Sequence, residues 1–293
     1  MCLCKNQKKH YKEEAKTMVV LLLSLALTCM PYSQAHNNLE LLKKENPFPY
    51  NLDIKIIPSK NNSQEVTICC HGYGHNNQIV NYVMLPGTLI GFNFPDYNIT
   101  PARDHKKASY GTINEILPLL YILKRCVADL KLPTINLYGF SAGGGAVVNA
   151  LAVLNHFTYK KELEQIGITE HSRQQIINAL EKGIIILDCP LKSCDEVAQW
   201  IKSPEFETLA SNYSNNKMKP IDVLTQLSGL KMNILLHFQN PDEILSNRDD
   251  TLFINKLRDT NQKKITVVIG SDGGHNTNHK SLWNAYKNLN GVN

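Results

Sequence analysis

The chain has 293 residues, 43% hydrophobic and 19% charged, a globular composition long enough for one α/β domain with a full core. Its formal net charge is +5, but five lysines and two glutamates fall within residues 1–35, so the remainder carries only +2. No basic patch interleaved with aromatics is left, which argues against nucleic acid as a partner.

The first expected element is a targeting segment. A lysine-rich stretch ends at Lys16, and an apolar run extends from Met18 to Met30. Ser33-Gln34-Ala35 then places small residues at the two positions a signal peptidase reads. Residues 1–35 therefore read as a signal peptide, and the protein is expected to be exported, periplasmic or secreted. The apolar run is shorter than the ~20 residues of a stable membrane span. The alternatives are an uncleaved anchor over 18–30, giving membrane association, and a true start at Met18. Residues 36–50 are polar with two prolines and read as a linker, leaving 51–293 as the folded domain.

Within that domain, Asn51–Pro58 alternates Leu/Ile with polar residues, as an edge strand does. Glu65–Cys70 is short and largely apolar, as a buried parallel strand is. A short helix over Gln78–Met84 and a strand over Thr88–Phe94 follow. Thr112–Leu130 has apolar spacing near 3.6 and predicts a long helix. Next come a strand over Thr134–Tyr138, a helix over about Ala142–Asn155, another over Glu170–Lys182, and the apolar strand Ile184–Leu187. Residues 189–231 are mostly polar helical segments and read as a lid insertion. Strand Met232–Phe238, helix Asp249–Thr260, strand Lys264–Ile269 and a helix over His279–Leu289 complete the chain. Strands alternate with helices almost throughout, which predicts a mostly parallel sheet covered by helices on both faces.

Five cysteines follow position 35: Cys69, Cys70, Cys126, Cys189 and Cys194. An odd number leaves at least one thiol unpaired. Cys189 and Cys194 are near enough in sequence for a local disulfide in an oxidising compartment, and both unpaired is the other reading. No CxxC or His-rich spacing suggests a metal site, and no cofactor is expected.

The chemistry centres on Gly139-Phe140-Ser141-Ala142-Gly143, a serine at the apex of a strand, a sharp turn and a helix. Small neighbours permit the strained turn, and the following helix N-terminus favours a developing anion. A serine hydroxyl needs a base, and the base needs an orienting carboxylate. In a parallel sheet these belong in loops at the carboxyl ends of strands. His275 lies in such a loop, Gly270-Ser271-Asp272-Gly273-Gly274-His275, with His279 as the competing histidine. Asp242 follows the preceding strand; Asp188 ends another strand and is the competing acid, with Glu243 a weaker neighbour. After the strand ending in Cys69-Cys70 comes His71-Gly72-Tyr73-Gly74. Gly72 lets the backbone approach closely, with His71 and Gly74 shaping the loop, so the N–H groups of Tyr73 and Ala142 are the natural oxyanion donors.

This arrangement resembles the α/β-hydrolase superfamily. The matching residues are His71-Gly72, the elbow around Ser141, Asp242 and His275, in the order Ser, Asp, His. Phe238-Gln239-Asn240-Pro241-Asp242 resembles the superfamily's acid loop, with Gln239 where glycine is common, and Asn93-Phe94-Pro95-Asp96 sits where many members carry a strand ending in Asp-x-x-Gly. The resemblance covers about residues 51–290. It implies a serine hydrolase acting on a carboxylic ester or thioester through an acyl-enzyme, on a small-molecule or lipid-like acyl substrate. A peptidase for short peptides and a non-catalytic binding protein on the same fold are the alternatives.

Overall fold

In a computed structural model, the described residues are 39–290 apart from 45, 51, 61, 62, 64, 96–110, 194–217, 246–248, 261, 277 and 278. The expected signal peptide or anchor, Asp96, Cys194 and most of the expected lid lie outside them. Among the described residues no helix is long and apolar enough to cross a membrane.

Seven described strands form one sheet in the order β1-β3-β2-β4-β5-β6-β7. They are β1 Lys55–Ile57, β2 Val66–Cys70, β3 Thr88–Gly91, β4 Asn136–Phe140, β5 Ile184–Asp188, β6 Asn233–Gln239 and β7 Lys264–Gly270. β1 is the antiparallel edge strand, and the other neighbours pair in parallel. The inner strands are runs such as Ile184-Ile185-Ile186-Leu187, apolar at every position because helices cover both faces.

The described α-helices are α1 Ile113–Lys124, α2 Ala142–His156, α3 Lys160–Gln165, α4 Glu170–Lys182, α5 Pro220–Val223, α6 Asp250–Arg258 and α7 Lys280–Asn290. One core face packs Ile116, Val147, Ile176 and Phe253 of α1, α2, α4 and α6 under the sheet. The opposite face is smaller. There Trp283 and Tyr286 of α7, with Ile79 and Val80 of a 3-10 turn over Asn77–Asn81, cover Cys69, Tyr138, Phe140 and Ile186. α2 is buried from Ala142 to Leu154, which explains its Gly/Ala/Val composition: a central helix has no solvent face to keep polar. α4 opens on a capping box in which Thr169 and Ser172 each accept from the other's backbone N–H.

The predicted strands and helices are present with ends shifted by a few residues. The expected helix over 112–130 is an α-helix that ends in a π turn, Arg125–Asp129, and α3 is an addition. Two expectations need correction. The described part of the 36–50 linker is not a free tether, because Leu39 and Leu42 are buried in the main core. Nor is all of 189–231 a lid. Ile221, Val223, Leu224, Leu227 and Leu230 belong to the core, and the Ile221 N–H donates to the Lys192 carbonyl at 3.0 Å, joining the two ends of the insertion against α2. Apolar side chains spaced through a polar segment made 218–231 core rather than cover. The remainder, 194–217, lies outside the described residues.

Candidate active site

The carboxyl ends of the central strands carry the site. β4 runs into α2 through Ser141, whose φ of 53° and ψ of −120° place a non-glycine residue in strained backbone. That turn brings strand and helix so close that side chains have no room. A Cβ on Gly139 would lie 2.7 Å from the Gly144 Cα, and one on Gly143 would lie 2.4 Å from the Cys70 carbonyl oxygen. Gly143→Ala should therefore cost about 3 kcal/mol, since neither obstacle is a flexible side-chain end. Calorimetry would show this as a melting temperature lower by several degrees, and an unchanged Tm would count against so tight an elbow.

The Ser141 backbone is pinned on all sides. Its N–H donates to the Asp188 carbonyl at 2.9 Å, and its carbonyl accepts from Gly144 at 2.9 Å and Leu191 at 2.8 Å. The side chain meets His275, with 2.9 Å between Oγ and Nε2. His275 Nδ1 stands 2.8 Å from Asp242 Oδ2. A carboxylate only accepts, so the proton of the neutral ring belongs on Nδ1 and the Nε2 lone pair faces the serine hydroxyl. Burial acts to raise the Asp242 carboxyl. The bond from His275 and two more, from the Ile244 and Leu245 N–H groups to Oδ1 at 2.9 and 2.7 Å, outweigh it and hold the carboxyl below its ordinary range. Asp242 is thus an ionised acceptor with a fixed orientation.

The serine, the acid and the base expected from the sequence are therefore brought together. Of the competing residues, Asp188 bonds Tyr138, His237 and His279 instead, and His279 makes no bond to Ser141. Glu243, read as a weak alternative acid, has another place. Its Oε2 accepts the His275 backbone N–H at 2.8 Å, and a Cβ on Gly274 would strike its carboxylate at 2.3 Å. Glu243 and Gly274 together set the loop that aims His275.

The loop His71–Gly74 lies against the elbow: a Cβ on Gly72 would sit 3.1 Å from the Ser141 Cβ. Gly74 takes a φ of 74°, a left-handed value that favours glycine. Tyr73 follows Gly72 in that loop, and Ala142 follows Ser141 as the first residue of α2. His71 is a supporting residue, as the sequence suggests. Its Nε2 accepts from the Phe94 N–H at 3.1 Å, so Nδ1 donates to the Gly72 carbonyl at 2.8 Å.

Burial lowers the His71 pKa from 6.5 to about 4. Above pH 6.5 the ring is neutral folded or unfolded. As pH falls from 6.5 towards 4, the unfolded chain takes up a proton that the folded chain refuses, so stability is lost across that window, by about 3 kcal/mol from this residue. Denaturant midpoints at pH 7.5 and 4.5 should converge in His71→Asn relative to the parent. Equal slopes in both proteins would remove His71 as the cause.

Sequence reasoning missed His237, Tyr138 and the positioning role of Glu243. One signal was available: His237 is a single ionisable residue inside the buried strand Asn233-Ile234-Leu235-Leu236-His237-Phe238-Gln239. Next to the site, on the α7 side of the sheet, is a cavity of about 670 Å³ lined by Gly74, His75, Phe140, Asp188, His279 and Trp283, among others.

No protein-family profile matches the chain, and no curated protein matches it. Solved structures do. A carboxylesterase from Lactobacillus plantarum superposes with a TM-score of 0.58 at 14% identity, over 85% of this chain and 96% of that one. An esterase from Pyrococcus furiosus gives 0.53 at 16% identity, over 82% and 90%. Acetyl xylan esterase 1 from a Thermoanaerobacterium species gives 0.51 at 13% identity, over 88% and 92%. Together with the strand order and the strained serine turn, these likenesses show that the chain has the α/β-hydrolase fold.

Proposed function

We propose that the protein is a serine hydrolase that cleaves carboxylic esters or thioesters. The observation that carries this is the relay Ser141 Oγ–His275 Nε2 at 2.9 Å and His275 Nδ1–Asp242 at 2.8 Å. Ser141 attacks the carbonyl carbon while His275 takes its proton. Asp242 holds the ring in the required tautomer and stabilises the imidazolium. The N–H groups of Tyr73 and Ala142 receive the oxyanion of the tetrahedral intermediate. His275 returns its proton to the leaving alcohol or thiol, leaving an acyl-Ser141. Water, deprotonated by the same histidine, then releases the acid. The esterase names of the fold neighbours agree with an ester in preference to an amide.

The test is labelling with a fluorophosphonate probe, followed by p-nitrophenyl esters of increasing acyl length. Labelling at Ser141 and turnover of at least one ester are expected. A protein that neither labels nor hydrolyses any member of the series is not this enzyme.

A further inference from the structure

A second cluster at the carboxyl ends of β5 and β6 takes no part in the proposed hydrolysis. Asp188, Cys189, His237 and His279 are all buried, and one donor atom from each lies within 4.8 Å of the others. Asp188 and His237 are paired positions of adjacent strands, and His279 comes in just before α7. The Nδ1 atoms of His237 and His279 stand 2.8 and 2.7 Å from the same oxygen, Asp188 Oδ1. The other oxygen, Oδ2, accepts the Tyr138 hydroxyl at 2.7 Å. Cys189 is a free thiol with Sγ 3.8 Å from His237 Nδ1.

The outer partners decide where the imidazole protons sit. His279 Nε2 is 3.2 Å from the Gly274 carbonyl, which only accepts, so Nε2 carries hydrogen. Ser281 Oγ donates to Asp272 Oδ1 at 3.0 Å and therefore accepts from His237 Nε2 at 3.1 Å. Each neutral ring then turns an Nδ1 lone pair onto one carboxylate oxygen, which is repulsive. A proton on one Nδ1 pairs that ring with the carboxylate but leaves the other lone pair facing it, and a proton on each sets two imidazolium charges against a single carboxylate in a buried place. A dication relieves it too, and with the Asp188 carboxylate and a Cys189 thiolate the site is neutral overall. Histidines whose second nitrogen donates to a carbonyl or to a carboxylate-backed hydroxyl are the usual outer arrangement of metal ligands.

We propose that Asp188, Cys189, His237 and His279 bind one divalent transition metal of the Zn²⁺ class. The mixed O, S and N donor set is the one that suits this borderline ion. Tetrahedral bonds of about 2.0–2.3 Å require donor–donor edges of about 3.3–3.6 Å. The Sγ–Nδ1 edge is near that length already, and the two Nδ1–Oδ1 edges widen by roughly half an ångström from contact distance. Binding releases the thiol proton of Cys189 and any proton on Nδ1 to solvent. The 670 Å³ cavity is lined by Asp188 and His279 and offers a route in.

The site ties three parts of the chain together: the end of β5, β6, and the segment from Gly274 to His279 that carries His275. The metal is thus a clamp that positions the His275 loop without touching substrate. Only the donors at 188 and 189 are close in sequence, and those at 237 and 279 lie more than 40 positions further along, which is why no short metal-binding motif marks them.

The full-length protein, purified under reducing conditions without chelator, should contain close to one zinc per chain by elemental mass spectrometry. After chelation it should take up one Co²⁺ and develop thiolate-to-cobalt absorption in the near ultraviolet. Cys189→Ser should remove that absorption, and His237→Gln and His279→Gln should each weaken Co²⁺ binding by tenfold or more. Ser141→Ala should retain the metal, so failure of the hydrolase reading leaves this result intact. No Co²⁺ uptake by the reduced parent protein overturns the site, as does binding that survives both histidine changes. A Cys189–Cys194 disulfide in the purified protein, found by mass mapping, overturns it as well.

Discussion

Ser141→Ala should abolish fluorophosphonate labelling and lower kcat by about 10⁴-fold or more while leaving the melting temperature close to that of the parent. The size follows from the geometry. The hydroxyl lies 2.9 Å from His275 Nε2, and the other machinery cannot form an acyl-enzyme without it. The small structural effect follows as well. Ser141 is held by its backbone N–H and carbonyl, through Asp188, Gly144 and Leu191, and alanine keeps all of these bonds. Residual activity within tenfold of the parent, or probe attached to another serine, would move the nucleophile elsewhere.

Asp242→Asn should lower kcat by about 10⁴-fold, because an amide can donate to Nδ1 and so favours the tautomer with hydrogen on Nε2, the wrong one for accepting the serine proton. The comparison with Asp188→Asn separates two carboxylates that the sequence leaves in competition. The Asp188 side chain bonds His237, His279 and Tyr138, and only its backbone carbonyl, which an amide variant keeps, meets Ser141, so that variant should keep far more turnover per folded molecule than the Asp242 variant. The pH behaviour carries the same sign. The Asp242 carboxyl lies below its ordinary range, so it stays ionised as pH falls through the usual carboxylate range. Its stabilising bonds are present above that range and are lost only in stronger acid. Loss of activity between pH 7 and 5 is then not expected to come from Asp242. A steady-state profile of the parent against the asparagine variant checks this, and an acid limb that vanishes in the variant would reverse the assignment.

Much of the fold was legible because its determinants are local. A strand such as Ile184–Asp188 is apolar at consecutive positions because it is buried on both faces, and the 3.6-residue apolar spacing over Thr112–Leu130 marks the helix that begins with α1. The elbow is local too. The small residues at 139, 142, 143 and 144 are what the sharp turn at Ser141 demands, and their spacing can be read without knowing what they pack against. Chain order and strand ends then placed Asp242 and His275 in adjoining loops, since β6 and β7 are neighbours in the sheet as well as in sequence.

What sequence could not decide was which of several equivalent groups points where. Asp188 and Asp242 both follow strands. Asp188, however, is still a paired strand position, in register with Phe140 and His237, and its side chain meets the two histidines on the α7 side, whereas Asp242 lies past the strand end and reaches His275. His275 and His279 are four residues apart, and only the path of the loop from β7 to α7 sends one to Ser141 and the other to Asp188. The same holds for Cys189 and His237, which are 48 positions apart and come within 3.8 Å because β5 and β6 end side by side. The sequence by itself determined the order of strands and helices and the strained serine, because backbone conformation answers to nearby residues. Tertiary structure alone decided the partners of each carboxylate and imidazole, because those depend on which strand ends meet and which face each side chain takes.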